Sequence, residues 1–129
     1  SNDDKPYSSI VLIEFKRPMR DDYTERENPI AQINRYAGEI SENAVTDKDG
    51  RTLDFKNNTP IYAYIVCDLT KNLRKFAKDA GYTPLPDNDG FFNFNDNYKL
   101  YVEIISFDKL LNDSKQRNRV LFEKLNLPN

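Results

Sequence analysis

SIVLIEFKRPMRDDYTERENPIAQINRYAGEI, residues 9–40, contains the strand and the helix on which the fold depends. Four consecutive apolar residues, Ile10 to Ile13, predict a strand over 9–16. Glu14 and Lys16 follow two positions apart, so in a strand they project from the same face. Burying an ion is costly unless it is paired or bound to a metal. Charge at the end of a buried strand therefore calls for a partner or a function.

The second half of this stretch has the pattern of an amphipathic helix over 29–43. Asn28 and Pro29 supply a helix cap and a favoured first residue. Gln32 and Tyr36 are four residues apart, which places both side chains on one side of the helix. Apolar residues at three- and four-residue spacings form a stripe for packing on the sheet, namely Ile30, Ile33, Ala37 and Ile40. Between strand and helix, residues 19–28 are rich in charge and predict a solvated loop near the site.

The composition bounds the class of protein. A chain of 129 residues with 38% hydrophobic and 31% charged residues predicts one soluble domain. No apolar run approaches the length of about 18 residues that a membrane span needs, so no membrane partner is expected. The single cysteine, Cys67, excludes a disulfide within the chain and favours the cytoplasm.

The absence of histidine excludes whole classes of chemistry. Serine–histidine and cysteine–histidine nucleophile pairs are ruled out, as are most zinc sites. Any metal would have oxygen ligands, which suits Mg²⁺, Mn²⁺ or Ca²⁺. The four glycines are scattered, so no phosphate-binding loop of the nucleotide-binding type is present. A net charge of −2 means that any affinity for DNA must come from local patches or from other domains.

The rest of the chain predicts an α/β architecture. Residues 44–59 form a hairpin-like excursion, and the apolar run 61–67 is a central strand covered on both faces. That strand lies parallel to the first, with the helix 29–43 as a right-handed crossover. A second helix over 70–80 follows and ends at Gly81, and Asp68 before it is a minor site candidate.

The last third predicts a hairpin and two helices. Strands over 91–95 and 98–105 flank an Asp96-Asn97 turn, and their aromatic residues are expected in the core and not in a base-stacking platform. Ser106 caps a short helix through Leu111. Ser114 to Leu125 predicts a final helix whose inward-facing residues are Val120, Leu121 and Leu125.

The pattern of apolar strand, Glu14-Phe15-Lys16, basic loop and Gln32-x-x-x-Tyr36 helix resembles the PD-(D/E)xK nuclease superfamily. The resemblance is to the RecB-like and Shedu-like branches and covers about the first third of the chain. It implies a restriction-endonuclease-like fold, a mixed central sheet flanked by helices, and Mg²⁺- or Mn²⁺-dependent hydrolysis of DNA.

The resemblance also implies roles for individual residues. Glu14 and the backbone carbonyl of Phe15 would hold the metal, and Lys16 would activate water and stabilise the transition state. Gln32 would position the water or a metal ligand, while Tyr36 would brace the site or contact phosphate. The candidates for phosphate binding are Arg17 and Arg20, together with a basic helix stripe of Lys71, Arg74, Lys75 and Lys78, although each also fits a solvated surface role.

One element of the family pattern is absent. The family needs a further acidic residue on the strand paired with this one, and Asp3 and Asp4, the only acids before Glu14, do not follow a proline or lie in an apolar run. We therefore expect residues 1–129 to be a single domain without its N-terminal part, with residues 1–2 as a tag remnant. The resemblance implies a larger bacterial parent protein with this domain at its C-terminus, since similar domains occupy that place and some of their parents carry a histidine-kinase/gyrase-type ATPase region.

These expectations leave three readings of the site. In the first, the domain is a nuclease whose isolated fragment binds metal weakly and has little activity. In the second, it is an inactive nuclease-fold module that binds nucleic acid or protein within the parent. In the third, Glu14 and Lys16 form a surface ion pair on an edge strand, worth at most about 1 kcal/mol.

Overall fold

A mixed five-stranded sheet and two helices form the fold. The structure, a computed structural model, describes residues 9–42, 46–52 and 59–113. The elements in chain order are β1 (Ile10–Phe15), α1 (Pro29–Ser41), β2 (Ile61–Val66), α2 (Lys71–Asp79), β3 (Thr83–Pro84), β4 (Gly90–Asn95) and β5 (Leu100–Ile105). A further helical segment occupies 107–113. The predicted final helix, Ser114 to Leu125, lies outside the described residues, as do residues 1–8.

The strand order is β1-β2-β5-β4-β3. β1, β2 and β5 are parallel, whereas β4 is antiparallel to both β5 and β3. The predicted parallel pairing of the first two apolar runs is confirmed, in the register that aligns Ile10 with Ile61. The predicted α/β class with a mixed sheet is also confirmed. β1 is at one edge of this sheet among the described strands.

Local sequence accounts for both helices. The Asn28 side chain accepts a hydrogen bond from the Ala31 amide, and Pro29 takes the first helical position of α1. Thr70 caps α2 in the same way, through the Leu73 amide. Gly81 follows α2 with a φ of 79°, a backbone conformation that glycine adopts without strain.

One face of the sheet is covered by α1 and α2, and we call it the covered face. The four apolar residues predicted to form the stripe of α1 are all buried there. They belong to a single hydrophobic cluster with Leu73 and Ala77 of α2. The strand residues of this cluster alternate along each strand, namely Ile61, Ala63 and Ile65 of β2, Phe91 of β4, and Leu100, Val102 and Ile104 of β5.

Most of the opposite face is exposed. We call it the open face, and its apolar side chains are 36–62% exposed: Val11, Ile13, Phe15, Tyr62, Tyr64, Phe92, Phe94 and Tyr101. Three of its rings stack across neighbouring strands, with centroids 4.4 Å apart for Phe94 and Tyr101 and 5.2 Å apart for Tyr62 and Tyr101. The predicted burial of β2 on both faces, and of all the hairpin aromatics in the core, is therefore wrong for the part of the chain that the structure describes.

The connections differ from prediction in detail. The segment between α2 and β4 includes a short strand, β3, that the sequence does not predict, and Pro84 lies in it at an edge of the sheet, where proline is tolerated. The β4–β5 turn spans 96–99 and not two residues. Within the predicted excursion, Thr46 and Thr52 pair as an isolated bridge. No helix among the described residues is both long and apolar enough to cross a bilayer.

Candidate functional site

Three of the predicted side chains meet at the end of β1. The Lys16 ammonium donates hydrogen bonds to Glu14 Oε1 at 2.6 Å and to Gln32 Oε1 at 2.5 Å. Lys16 is only 8% exposed and the Glu14 side chain 24%. A surface ion pair would leave both groups in solvent, so the arrangement is a partly buried charge cluster.

Each element places its residue for a sequence reason. The alternation of β1 turns Glu14 and Lys16 toward the face that α1 covers, whereas Phe15 between them is 62% exposed on the open face. Gln32 lies in the first turn of α1 and its own amide donates to the Asn28 carbonyl. The capped start of α1 therefore fixes the distance between the carboxamide and the strand.

The edge of β1 beside this cluster has no neighbouring strand among the described residues. Ile10 and Lys16 donate their amides to Pro60 and Val66 of the β2 side. Because bonding residues alternate along a parallel ladder, the intervening residues direct their amides and carbonyls to the opposite edge. The Phe15 carbonyl therefore points to the free edge of β1, next to the Glu14 and Lys16 positions. The predicted metal ligands Glu14 and Phe15 are thus neighbours at one edge.

Glu14 retains an oxygen for a further partner. Its Oε1 accepts from Lys16, whereas Oε2 is buried and has no hydrogen-bond partner among the described residues. A carboxylate oxygen and a backbone carbonyl suit Mg²⁺ or Mn²⁺, which retain several waters and take few protein ligands. The described residues contain no group of three or more His, Cys, Asp or Glu side chains that could hold a metal. The donors fit part of such a site, and the remaining ligands would have to come from water, substrate or residues outside the described ranges.

Tyr36 does not join the cluster. It lies one turn beyond Gln32 on α1, about 6 Å further along the helix axis, and its side chain is 49% exposed. The hydrogen bonds of the Lys16 ammonium reach Glu14 and Gln32 and not Tyr36. Tyr36 therefore lies beside the site and not within its hydrogen-bond network.

The loop of residues 17–28, which we call the exit loop, is more ordered than its charge predicts. Tyr23 is 7% exposed and belongs to the hydrophobic cluster, so the predicted fully solvated loop is wrong at this residue. Burial raises the pKa of Tyr23 to about 12. Its hydroxyl has no hydrogen-bond partner among the described residues. A single aromatic residue in a charged segment was the signal for this burial.

Backbone contacts hold the exit loop across the ends of β1 and β2. The Met19 amide, at a φ of 63°, donates to the Asp68 carboxylate, and Asn72 of α2 donates to the Asp21 carbonyl. The Asn28 side-chain amide donates to the Thr24 carbonyl. Asp68, the minor candidate from sequence, is therefore a loop anchor.

The two arginines of the exit loop have different environments. The Arg20 guanidinium donates to Asp22 at 2.9 Å and lies 5.2 Å from the centre of the Tyr23 ring. The hydrogen bond between Arg20 and Asp22 raises the pKa of Arg20 and lowers that of the Asp22 carboxyl. Arg17 is 67% exposed and its nearest carboxylate, Asp22, is 3.9 Å away. Arg20 is the better positioned of the two to act at the site.

Cys67 directly follows β2 and lies near Glu14 and Lys16. It is fully buried, and burial raises the pKa of its thiol to about 12, with the adjacent Asp68 carboxylate adding to the shift. A thiol held protonated in this way is a poor nucleophile. Cys67 therefore contributes packing and not chemistry.

The basic stripe of α2 does not act as one surface. Arg74 donates to the carbonyls of Leu69 and Asn88, and its guanidinium lies 5.9 Å from the centre of the Phe91 ring. Lys75 pairs with Asp79 at 3.4 Å and is 70% exposed, and Lys71 and Lys78 are exposed. Arg74 thus has a structural position, whereas the three lysines remain solvated.

Comparisons with known proteins add no identification. No family model, no curated protein and no solved structure matches this chain. The functional assignment therefore depends on the geometry of Glu14, Lys16 and Gln32.

Proposed function

We propose that this domain is built for the hydrolysis of DNA phosphodiester bonds with a divalent metal, Mg²⁺ or Mn²⁺. The observation that carries the proposal is the buried Lys16 ammonium held between Glu14 and Gln32 at the free edge of β1. A lysine in such a position costs desolvation energy, and a purely structural pair would be equally well replaced by apolar residues. A buried charge at a strand edge that a ligand can reach is better explained by catalysis than by a purely structural role.

The geometry refines the role of each side chain. Glu14 accepts a hydrogen bond from Lys16 with Oε1, which leaves Oε2 to bind the metal. The Gln32 carbonyl oxygen holds the Lys16 ammonium, which leaves the two amide protons of Gln32 to orient a water or a phosphate oxygen. Lys16 has a third proton to donate to charge that develops on the scissile phosphate. The metal, when bound, would polarise the phosphate and lower the pKa of a coordinated water.

Arg20 is the side chain best placed to hold the substrate. Its ion pair with Asp22 and its position over the Tyr23 ring fix the guanidinium near the end of β1. A guanidinium binds phosphate oxygens in pairs, which suits a DNA backbone. Arg17 and the exposed lysines of α2 would contribute weaker, salt-sensitive contacts.

A second function is an inactive module of the same fold that binds DNA or another part of its parent protein. The observation that favours it is that the described residues contain no group of three or more His, Cys, Asp or Glu side chains that could hold a metal. The two functions differ in whether a further carboxylate reaches the free edge of β1 in the parent protein.

The deciding experiment measures cleavage of supercoiled plasmid DNA by the parent protein that contains this chain, with Mn²⁺ or Mg²⁺ and with EDTA. We expect metal-dependent nicking that Lys16→Ala abolishes and Lys48→Ala, at an exposed lysine in the 46–52 segment, retains. Circular dichroism of Lys16→Ala shows whether the variant is folded. Cleavage that persists in folded Lys16→Ala would contradict the catalytic assignment. Metal-independent DNA binding without cleavage would support the inactive module.

A further inference from the structure

The open face is an interaction surface, and this inference is independent of the proposed nuclease function. A groove of about 340 Å³ runs over the sheet, lined on its solvent side by Tyr62, Tyr64, Phe92, Phe94, Tyr101 and Glu103. Contiguous exposed apolar patches mark interaction sites. Parallel strands such as β1, β2 and β5 are almost always covered on both faces.

The described chain ends a few residues after β5. Val66 and Ile105, at the carboxyl ends of β2 and β5, lie on the open face and are buried, 2% and 8% exposed, and neither belongs to the cluster under α1 and α2. The helical segment 107–113 follows β5 directly, and the Ser106 hydroxyl caps it through the Lys109 amide. Lys109 then pairs with Asp87 at 2.7 Å. Residues 114–129 therefore continue the chain from the end of the sheet at which Val66 and Ile105 are buried.

The sequence that follows is complementary to the groove. Residues 114–129, SKQRNRVLFEKLNLPN, carry the predicted inward stripe of Val120, Leu121 and Leu125, which requires an apolar surface. Four cationic residues and a single acidic one give the segment a positive charge, whereas Glu103 is the one charged side chain among the described residues that line the groove. As a helix, sixteen residues would extend about 24 Å. A strand of six residues spans about 20 Å, so the lengths match.

We propose that residues 114–129 of this chain dock on the open face, with Leu121 and Leu125 against the ring ladder of Phe94, Tyr101 and Tyr62. The segment is the natural cover because the chain delivers it to that end of the sheet without a long connection. Single-stranded nucleic acid suits the groove less well. The stacked rings resemble a base-stacking surface, but the described residues that line the groove include no lysine or arginine to neutralise phosphate.

Hydroxyl-radical footprinting of the whole chain tests the docking. Tyr101 and Tyr36 are 44% and 49% exposed to solvent in the described part of the chain, so without docking their oxidation rates should be similar. We expect Tyr101 and Phe94 to be oxidised several-fold more slowly than Tyr36. Similar rates for Tyr101 and Tyr36 would overturn the proposal, and this comparison needs no variant.

A matched pair of variants assigns the cover to residues 114–129. Leu121→Asp with Leu125→Asp should raise the oxidation rates of Tyr101 and Phe94 several-fold and leave Tyr36 unchanged. Asn126→Asp, on the opposite side of a helix over these residues from Val120, Leu121 and Leu125, should leave all three rates unchanged. Slow oxidation of Tyr101 that survives the double substitution would overturn the proposal.

Two other results would assign the open face to a different occupant and overturn the docking. Protection that disappears on dilution, together with a halved mass, would assign the face to a second copy of the chain. Protection that appears only with oligo(dT) would assign it to nucleic acid.

Discussion

The two faces of one sheet have opposite chemistry. On the covered face, β2 and β5 present mainly branched aliphatic residues that are at most 3% exposed, including Ile65 and Leu100. On the open face the same strands present Tyr62, Tyr64 and Tyr101, which are 36–44% exposed. Aliphatic side chains pack against helices without polar atoms to satisfy, whereas tyrosine keeps a hydroxyl for water or a polar neighbour. The tyrosines of the open face are therefore consistent with the proposed docking of residues 114–129, in which their hydroxyls would stay in contact with water.

The contrast is lost at the carboxyl end of β1. Glu14 and Lys16, which directly follow the inward-facing Ile10 and Leu12, lie on the covered side, whereas Val11, Ile13 and Phe15 are exposed on the open side. A strand selected only for stability would have the opposite pattern. The inward charges are consistent with the proposed site, and the outward apolar residues extend the open face to the edge of the sheet.

Adjacent substitutions on β5 should show the largest difference between the faces. Leu100 is fully buried under the helices, and Leu100→Ala should lower the free energy of unfolding by about 2–5 kcal/mol through a cavity. Tyr101→Ala removes a ring that stacks on Phe94 and Tyr62 at the surface and should cost about 1 kcal/mol. Chemical denaturation of the two variants measures both values. Equal losses would show that the open face is packed as tightly as the covered one.

The sequence was sufficient to predict the elements that form the covered face. Apolar runs and the Asn28-Pro29 start act locally, so β1, α1 and β2 follow from short-range rules, whereas the proximity of Gln32 to Lys16 was implied by the family resemblance and not by spacing. Tyr36 shows the limit of the same reasoning. Helical spacing puts it on the side of Gln32, but it cannot tell whether the side chain reaches the strand.

The open face could not be predicted from hydrophobicity alone. Tyrosine and isoleucine both favour strands, so the run 61–66 reads as apolar on both sides, and only the alternation of Tyr62 and Tyr64 with aliphatic residues separates the faces. Tyr23 was missed because Cys67 and the other groups around it are distant in sequence. β3 depends entirely on its pairing with β4, which no local signal specifies.

Alkaline pH should lower the free energy of unfolding, because the covered face buries one thiol and two phenol groups. Burial raises the pKa of Cys67 from 9.0 to about 12, and that of Tyr23 and Tyr82 from 10.0 to about 12. The folded state keeps these protons where the unfolded state loses them, so their contribution to stability is complete below pH 9 and is lost as pH rises toward 12. Stability measured from pH 8 to 11 should therefore fall. Cys67→Ala should make the fall shallower, and an unchanged slope would show that the thiol ionises equally in both states.

The smallest expected effect concerns the ion pair between Lys109, in the helical segment after β5, and Asp87. The hydrogen bond from Lys109 lowers the pKa of Asp87 below its ordinary value of 3.8, so its stabilisation is present above that value and is lost as pH falls through the folded pKa. Asp87→Asn should remove this acid dependence and slightly raise the oxidation rate of Tyr101, because the segment 107–113 loses its tie to the β3–β4 loop. Asp96→Asn, which breaks the Lys99 pair in the β4–β5 turn, is the matched control and should leave the Tyr101 rate unchanged. If both variants changed that rate equally, the effect would come from the lost charge and not from the position of the chain. The contrast between the faces would then not depend on how the chain leaves β5.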